Sequence, residues 1–157
     1  MMFSIGFVFT ATFFVFPGEV VAVKYAGTVG LNGLSKAGWW PVILLTAFQI
    51  GDTTGRSLPA VFTCLTRQLV PWASFARLVF IPLWIVAARG IAVVSSDPWT
   101  LVLMLIFALT NGYVSTLSFA YAPRLVEPAD REKVGFLMGL VLQVGIACGS
   151  ALSLALS

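Results

Sequence analysis

The chain has 157 residues, 59% of them hydrophobic and only 10% charged, with a net charge of +3 and no histidine. An ordinary soluble domain carries roughly 25% charged residues, and a chain this short could not keep so much apolar surface from water, so a soluble globular domain is excluded. The few basic residues are scattered and form no stripe that could meet phosphates, which excludes nucleic acid as a partner.

Five apolar runs can be drawn, each near the ~20 residues a helix needs to cross the hydrocarbon core of a bilayer. The first extends from about Met2 to Val23 and contains Pro17-Gly18. Pro17 has no N–H and frees the carbonyl about four residues earlier. Such a break lines a cavity in some transporters and serves packing in many other membrane helices; for this residue alone packing is the plainer reading. Glu19 either snorkels toward the interface or faces a pathway, and both readings stand. The N-terminus lacks a basic n-region, so no signal peptide is expected.

The second run, about Gly38 to Phe62, carries the most informative pair in the sequence. No charge occurs from Ala37 to Gly51, and after Arg56 none appears until Arg67. Asp52 and Arg56 are four residues apart, on one helical face, with the acid on the N-terminal side as the better pairing order requires. Ionisable residues inside a membrane are expensive and mark functional sites by default. The plainer alternative is a structural ion pair, and the two are compatible. Gly55 and Ser57 keep this face narrow and polar, which suits a substrate pathway, and Gln49 shares it three residues earlier.

The third run, about Trp72 to Val94, has Arg77 just inside its start. The fourth, Pro98 to Ala122, is free of charge, and its Asn111 is expected to make a helix–helix hydrogen bond. The fifth, about Val134 to Leu156, is also uncharged; Gln143 within it stays open. Before it, Pro128 to Glu132 reads as a helix start with Asp130 as N-cap and Glu132 in the first turn. A gating salt bridge is the sharper alternative for Glu132.

Period-two alternation is absent, and the runs exceed the roughly ten residues of a barrel strand, so the expected fold class is all-α. Arg67, Arg124, Arg131 and Lys133, with Arg77, face Lys24, Lys36 and Arg89 across the membrane. That bias puts the N-terminus in the cytosol and the C-terminus on the opposite side. Trp39, Trp40, Trp72 and Trp99 fall at run ends, where aromatic rings prefer the headgroup region. Three Gly-xxx-Gly pairs, Gly51/Gly55, Gly135/Gly139 and Gly145/Gly149, predict close helix crossings. Cys64 and Cys148 have neither metal-like nor framework spacing and are expected to be buried as small apolar residues. With no His, no metal-ligand cluster and no Gly-x-Ser-x-Gly, no catalytic machinery can be assembled; neither an enzyme nor a metal or cofactor is expected.

Phe48-Gln49-Ile50-Gly51-Asp52-Thr53-Thr54-Gly55-Arg56-Ser57-Leu58 resembles the eighth helix of the equilibrative nucleoside transporters, which reads broadly F-N-x-x-D-x-x-G-R-S. Phe16-Pro17 followed by Val23-Lys24 is similar to the family's seventh helix, and Ala76-Arg77-Leu78-Val79-Phe80-Ile81-Pro82-Leu83 to its ninth. Thr110-Asn111-Gly112-Tyr113 and Ala122-Pro123-Arg124 resemble the tenth; Pro128 to Glu132 with Gly135, Met138 and Gly145 resembles the eleventh. The resemblance implies the last five helices of a major-facilitator-like eleven-helix transporter, with the six-helix N-terminal half absent from this sequence. A fragment, a truncated form and a split protein are the three expected explanations.

By the same resemblance, Asp52 and Arg56 match the family's ribose-contacting acid and base, and Phe16 an aromatic beside the nucleobase. Ile146 matches an apolar residue near the pocket. Glu132 matches a cytosolic gate position whose partner lies in the other half. Gln49 departs from the family's usual Asn, which alters its hydrogen-bond geometry. The implied function is facilitative transport of nucleosides, with nucleobases as further cargo, in the plasma membrane or an internal one. The implied partners are the nucleoside, the bilayer and a six-helix half. The alternative from another class is a non-transporting half-length membrane protein with structural or regulatory duties.

Overall fold

The computed structural model describes residues 1–16, 20, 23–27, 38–90 and 96–156. Four long helices, one shorter one and no strand occur among them: α1 (Met2–Val15), only 14 residues long, α2 (Trp40–Val61), α3 (Leu69–Ala88), α4 (Asp97–Tyr121) and α5 (Arg131–Leu156). Pro41 and Pro98 stand in the first turns of α2 and α4, where a fixed φ starts a helix and the missing N–H has no cost. Pro82 acts differently, because it lies inside α3 and cannot donate to the carbonyl of Leu78. The turn ahead of it, Arg77–Val79, tightens to 3₁₀ geometry.

The stretches Leu69–Ala88, Asp97–Leu125 and Pro128–Ala155 are long and apolar enough to cross a membrane. At 22 residues, α2 has the length, about 33 Å, but Gln49, Asp52, Thr53, Arg56 and Ser57 lower its hydropathy. The outward side of α5 presents Phe136, Leu140, Val144 and Leu152. Such a face would be a liability in water and is at home against hydrocarbon. The chain is an all-helical integral membrane protein.

Two tight pairs organise the bundle: α2 on α4, and α1 on α5, with α1 and α3 also packed on α4. Glycine makes both crossings possible. A Cβ at Gly112 of α4 would overlap the Asp52 carbonyl oxygen, one at Gly55 would overlap the Leu109 carbonyl, and one at Gly51 would come within 2.8 Å of the Ala108 Cβ. In the other pair, a Cβ at Gly145 would meet the Gly6 carbonyl at 2.6 Å and one at Gly149 the Thr10 carbonyl at 2.5 Å. Lipid tails are as apolar as leucine, so helix association in a bilayer relies on this close packing and on interhelical hydrogen bonds. Gly135 and Gly139 are different, since a Cβ on either would meet nothing within 4 Å.

The interior is layered along the bundle. One apolar cluster gathers Val15, Trp40, Leu44, Phe48, Trp84 and Phe107; the other gathers Ile5, Val8, Val70, Val114, Leu117 and Met138. The N-terminal part of α1 therefore shares a level with the C-terminal part of α4 and the N-terminal parts of α3 and α5. Between the clusters lies a polar layer, with Thr12 from α1, Asp52 from α2, Arg77 from α3 and Asn111 from α4 all buried.

Three expectations need correction or placement. Cys64 and Cys148 are exposed, not buried. Cys64 lies in the connection after α2, and Cys148 lies on an outward part of α5, where an apolar residue can face lipid as well as protein. Asp130 does immediately precede α5, but its carboxylate takes the Lys133 ammonium at 2.8 Å. Pro17, Glu19 and Lys36 lie outside the described residues.

Candidate functional site

One helical turn of α2 sets Arg56 beside Asp52, with Nε donating to Oδ2 at 2.7 Å. The two differ in setting. Asp52 is 7% exposed, clamped where α2 meets α4, whereas the Arg56 side chain is 46% exposed and lies along the open face of α2. The other Asp52 oxygen, Oδ1, accepts from Nδ2 of Asn111 at 2.7 Å. Asn111 thus makes the helix–helix hydrogen bond expected of it, and makes it to the acid singled out in the sequence.

The amide of Asn111 is held from its other end by Arg77. Arg77 Nη2 donates to Asn111 Oδ1 at 3.2 Å and to Thr12 Oγ1 at 3.0 Å, while Nη1 donates to the Phe107 carbonyl at 3.1 Å and to Thr110 Oγ1 at 2.6 Å. Thr12 Oγ1 also lies 2.7 Å from the Val8 carbonyl and 2.8 Å from Asn111 Oδ1, so its one proton goes to one of these two acceptors. The guanidinium carbon sits 4.9 Å from the Phe107 ring centre and 5.9 Å from that of Phe80, within cation–π range. Arg77 Nε is buried without a hydrogen-bond partner. Arg56, Asp52, Asn111, Arg77 and Thr12 form one chain of contacts across α2, α4, α3 and α1.

Arg77 is the residue the sequence reading undervalued. In the sequence it stands only among the charges that set orientation, yet it is 2% exposed and more buried than either member of the expected pair. The signal was present: a lone cation inside an apolar run deserves the treatment given to Asp52. The 3₁₀ turn before Pro82 begins at this residue. Asp52 supplies the electrostatic attraction that partly offsets the burial of its charge.

Among the other residues, Gln49 is exposed and shares the open face of α2 with Thr53 and Arg56. Phe16 is half-buried and stacks on Phe48, with ring centres 4.3 Å apart and planes 23° apart; Phe48 in turn meets Phe107 at 5.9 Å. Phe16 is therefore tied to the first apolar cluster through Phe48, on the inner side of α2, and not to the exposed face of Gln49 and Arg56. Ile146 packs at the margin of the second apolar cluster, and Glu132 is exposed in the first turn of α5. These last two belong to other parts of the bundle than the Asp52–Arg56 pair.

An apolar cavity of about 460 Å³ opens between α2, α3 and α4, lined by Leu58, Phe62, Phe80 and Leu109, with Arg77 and Thr110 in its wall. Asp52, Arg56 and Gln49 do not line it. The polar groups able to meet a hydroxylated ligand lie instead on the open face of α2. No group of three or more His, Cys, Asp or Glu able to hold a metal occurs among the described residues. What the arrangement offers is recognition: a carboxylate held by Asn111 and Arg56, the exposed guanidinium of Arg56 itself, the exposed amide of Gln49, and an aromatic stack in the neighbouring apolar cluster.

Comparison with known proteins supplies the wider frame. The profile of the nucleoside transporter family matches residues 1–157. Human equilibrative nucleoside transporter 1 is 34% identical over 160 residues, covering 98% of this chain and 35% of the relative. Mouse equilibrative nucleoside transporter 2 is 35% identical over 156 residues, covering 93% and 33%. Equilibrative nucleotide transporter 8 of Arabidopsis thaliana is 28% identical over 145 residues, covering 92% and 36%. The chain spans about a third of the length of these curated relatives. With the family profile matched from end to end, the chain belongs to the nucleoside transporter family.

Proposed function

We propose that this chain is the C-terminal half of a facilitative nucleoside carrier and supplies the ribose-recognising side of its pocket. The observation that carries this reading is the margin of the open face of α2, where the exposed guanidinium of Arg56 and the exposed amide of Gln49 flank the carboxylate of Asp52, buried against α4 and bonded to Arg56 at 2.7 Å. Asp52 accepts from ribose hydroxyls, Arg56 donates to the same ring, Gln49 adds an amide, and the Phe16–Phe48 stack offers an aromatic surface to the base. Ile146, on another part of the bundle, and Glu132, in the first turn of α5, enter this reading only by the family resemblance, as an apolar residue near the pocket and as a cytosolic gate residue. The work is binding and translocation, with no bond made or broken.

In this reading the chain crosses the bilayer five times, at about residues 2–23, 38–62, 72–94, 98–122 and 134–156, the first and third crossings running beyond the helical ends at Val15 and Ala88. A six-helix half faces α2, and rocking one half against the other gives access from each side in turn. Co-expression with such a half is the test. Saturable uridine uptake is expected from the pair and only background from the 157-residue chain alone. Robust uptake by the chain alone would show that the pocket is not shared between halves. Correct insertion without uptake beside any six-helix half would favour the non-transporting alternative.

Orientation has its own test. The reading puts Cys64, in the α2–α3 connection, on the cytosolic side and the end of α5 outside. Cys64 should resist an impermeant thiol reagent applied to intact cells, while a cysteine introduced at Ser157 should react. Three crossings separate the two positions, so labelling of both from one side would refute the topology.

A further inference from the structure

We propose that Arg77 is a positioning residue for the sugar-binding carboxylate, acting through Asn111 and touching no substrate. This rests on the reading that Asp52 accepts ribose hydroxyls. A guanidinium carries only donors, so the oxygen of the Asn111 amide must face it and the NH₂ must turn the other way. That other way is Asp52 Oδ1, 2.7 Å off. The ionised carboxylate, an acceptor only, asks for the same orientation from the other side, so Asn111 is held between two groups that agree, and an acceptor in place of the guanidinium would pull the amide the opposite way. Arg77 thus reinforces the polarity of the amide, and the amide holds Oδ1 while Arg56 takes Oδ2.

Arg77 is itself over-determined, with four hydrogen bonds to Thr12, Phe107, Thr110 and Asn111 and two aromatic rings beside it. Its burial at 2% exposure separates it from the open face of α2, so a ligand there meets its effect only through Asn111 and Asp52. Thr12 supports the same polarity whenever its proton goes to Asn111 Oδ1. The carboxylate is therefore presented rigidly, and the second lone pairs of its oxygens remain for ligand hydroxyls.

The distinguishing measurement is hydroxyl discrimination, the ratio of binding affinities for uridine and 2′,3′-dideoxyuridine, taken on folded protein containing both halves. Arg77→Gln, whose amide can donate or accept, should lower this ratio by about tenfold or more, the worth of one hydrogen bond to a charged group. Its affinity for the dideoxy ligand should stay within about twofold of the parent. Arg77→Lys, again donor-only, should recover much of the ratio. Equal weakening of both ligands, with the ratio kept, would mean that Arg77 is scaffold alone.

Asn111→Ala offers a route that leaves Arg77 in place, and should lower the ratio likewise if Arg77→Gln fails to fold; an unchanged ratio there overturns the proposal. Asp52→Asn separates the two levels of the argument. If it collapses the ratio and Arg77→Gln does not, only the role of Arg77 is wrong. If the ratio survives Asp52→Asn, the ribose reading is wrong and the role of Arg77 falls with it.

Discussion

Gly112→Leu is expected to remove most of the folded protein. Gly112 lies where α4 crosses α2, and a Cβ there would overlap the Asp52 carbonyl oxygen and come within 2.7 Å of the Arg56 amide nitrogen. Both obstacles are backbone, so no side-chain rotation relieves them and the helices must separate. Overpacking a close contact costs roughly 1–3 kcal/mol, occasionally more. Here the separation also threatens the 2.7 Å hydrogen bond between Asn111, the adjacent residue, and Asp52. Against a total stability of about 5–15 kcal/mol that is a large loss. Monodisperse yield in detergent and the thermal midpoint measure it, with Gly139→Leu as reference because a Cβ at Gly139 meets nothing within 4 Å. Equal behaviour of the two variants would show that the α2–α4 crossing does not depend on the absence of a side chain.

The architecture was legible because apolar length and glycine spacing are local signals. Gly51 and Gly55 predicted a close crossing and stand at one; Gly145/Gly149 does the same on α1. The same pattern at Gly135/Gly139 meets no neighbour among the described residues, since sequence spacing says that two helices can approach there and not that any second helix is present. The Asp52–Arg56 pair was legible for the same local reason, four residues being one turn. Which of its members is buried was not, because burial of α2 is decided by α4, about 60 residues away in sequence. The cysteines misled because an apolar run does not say whether its residues face protein or lipid. Arg77 was visible as a cation in an apolar run, yet its link to Asp52 needs Asn111 between them, and only the packing of α3 against α4 brings the three together.

Asp52→Asn is expected to leave the bundle folded and to cut uridine affinity by roughly ten- to a hundredfold. Both carboxylate oxygens accept from donors, Oδ1 from Asn111 and Oδ2 from Arg56. An amide at position 52 has one oxygen and must aim its NH₂ at one of those donors. Turning Asn111 to suit it is blocked, because the reversed amide would set NH₂ against the Arg77 guanidinium. The new amide therefore keeps its oxygen on Asn111 and gives up Arg56, whose side chain is 46% exposed and can swing onto the open face. Folding loses little by that route. A ligand hydroxyl, however, now meets an NH₂ where it met an anionic acceptor, and a hydrogen bond to a charged group is worth about 1.5–3 kcal/mol. Asp52→Ala should be worse for the fold: it strips the acceptor from the buried Asn111 amide and the balancing charge from Arg77, and breaking one side of a buried charged contact costs about 3–5 kcal/mol. Stability should therefore fall in the order parent, Asp52→Asn, Asp52→Ala, whereas uridine affinity should already show its fall of roughly ten- to a hundredfold at the first step. If Asp52→Asn folds normally and binds uridine as the parent does, Asp52 is not a ribose ligand and the pair serves only as scaffold that holds α2 to α4.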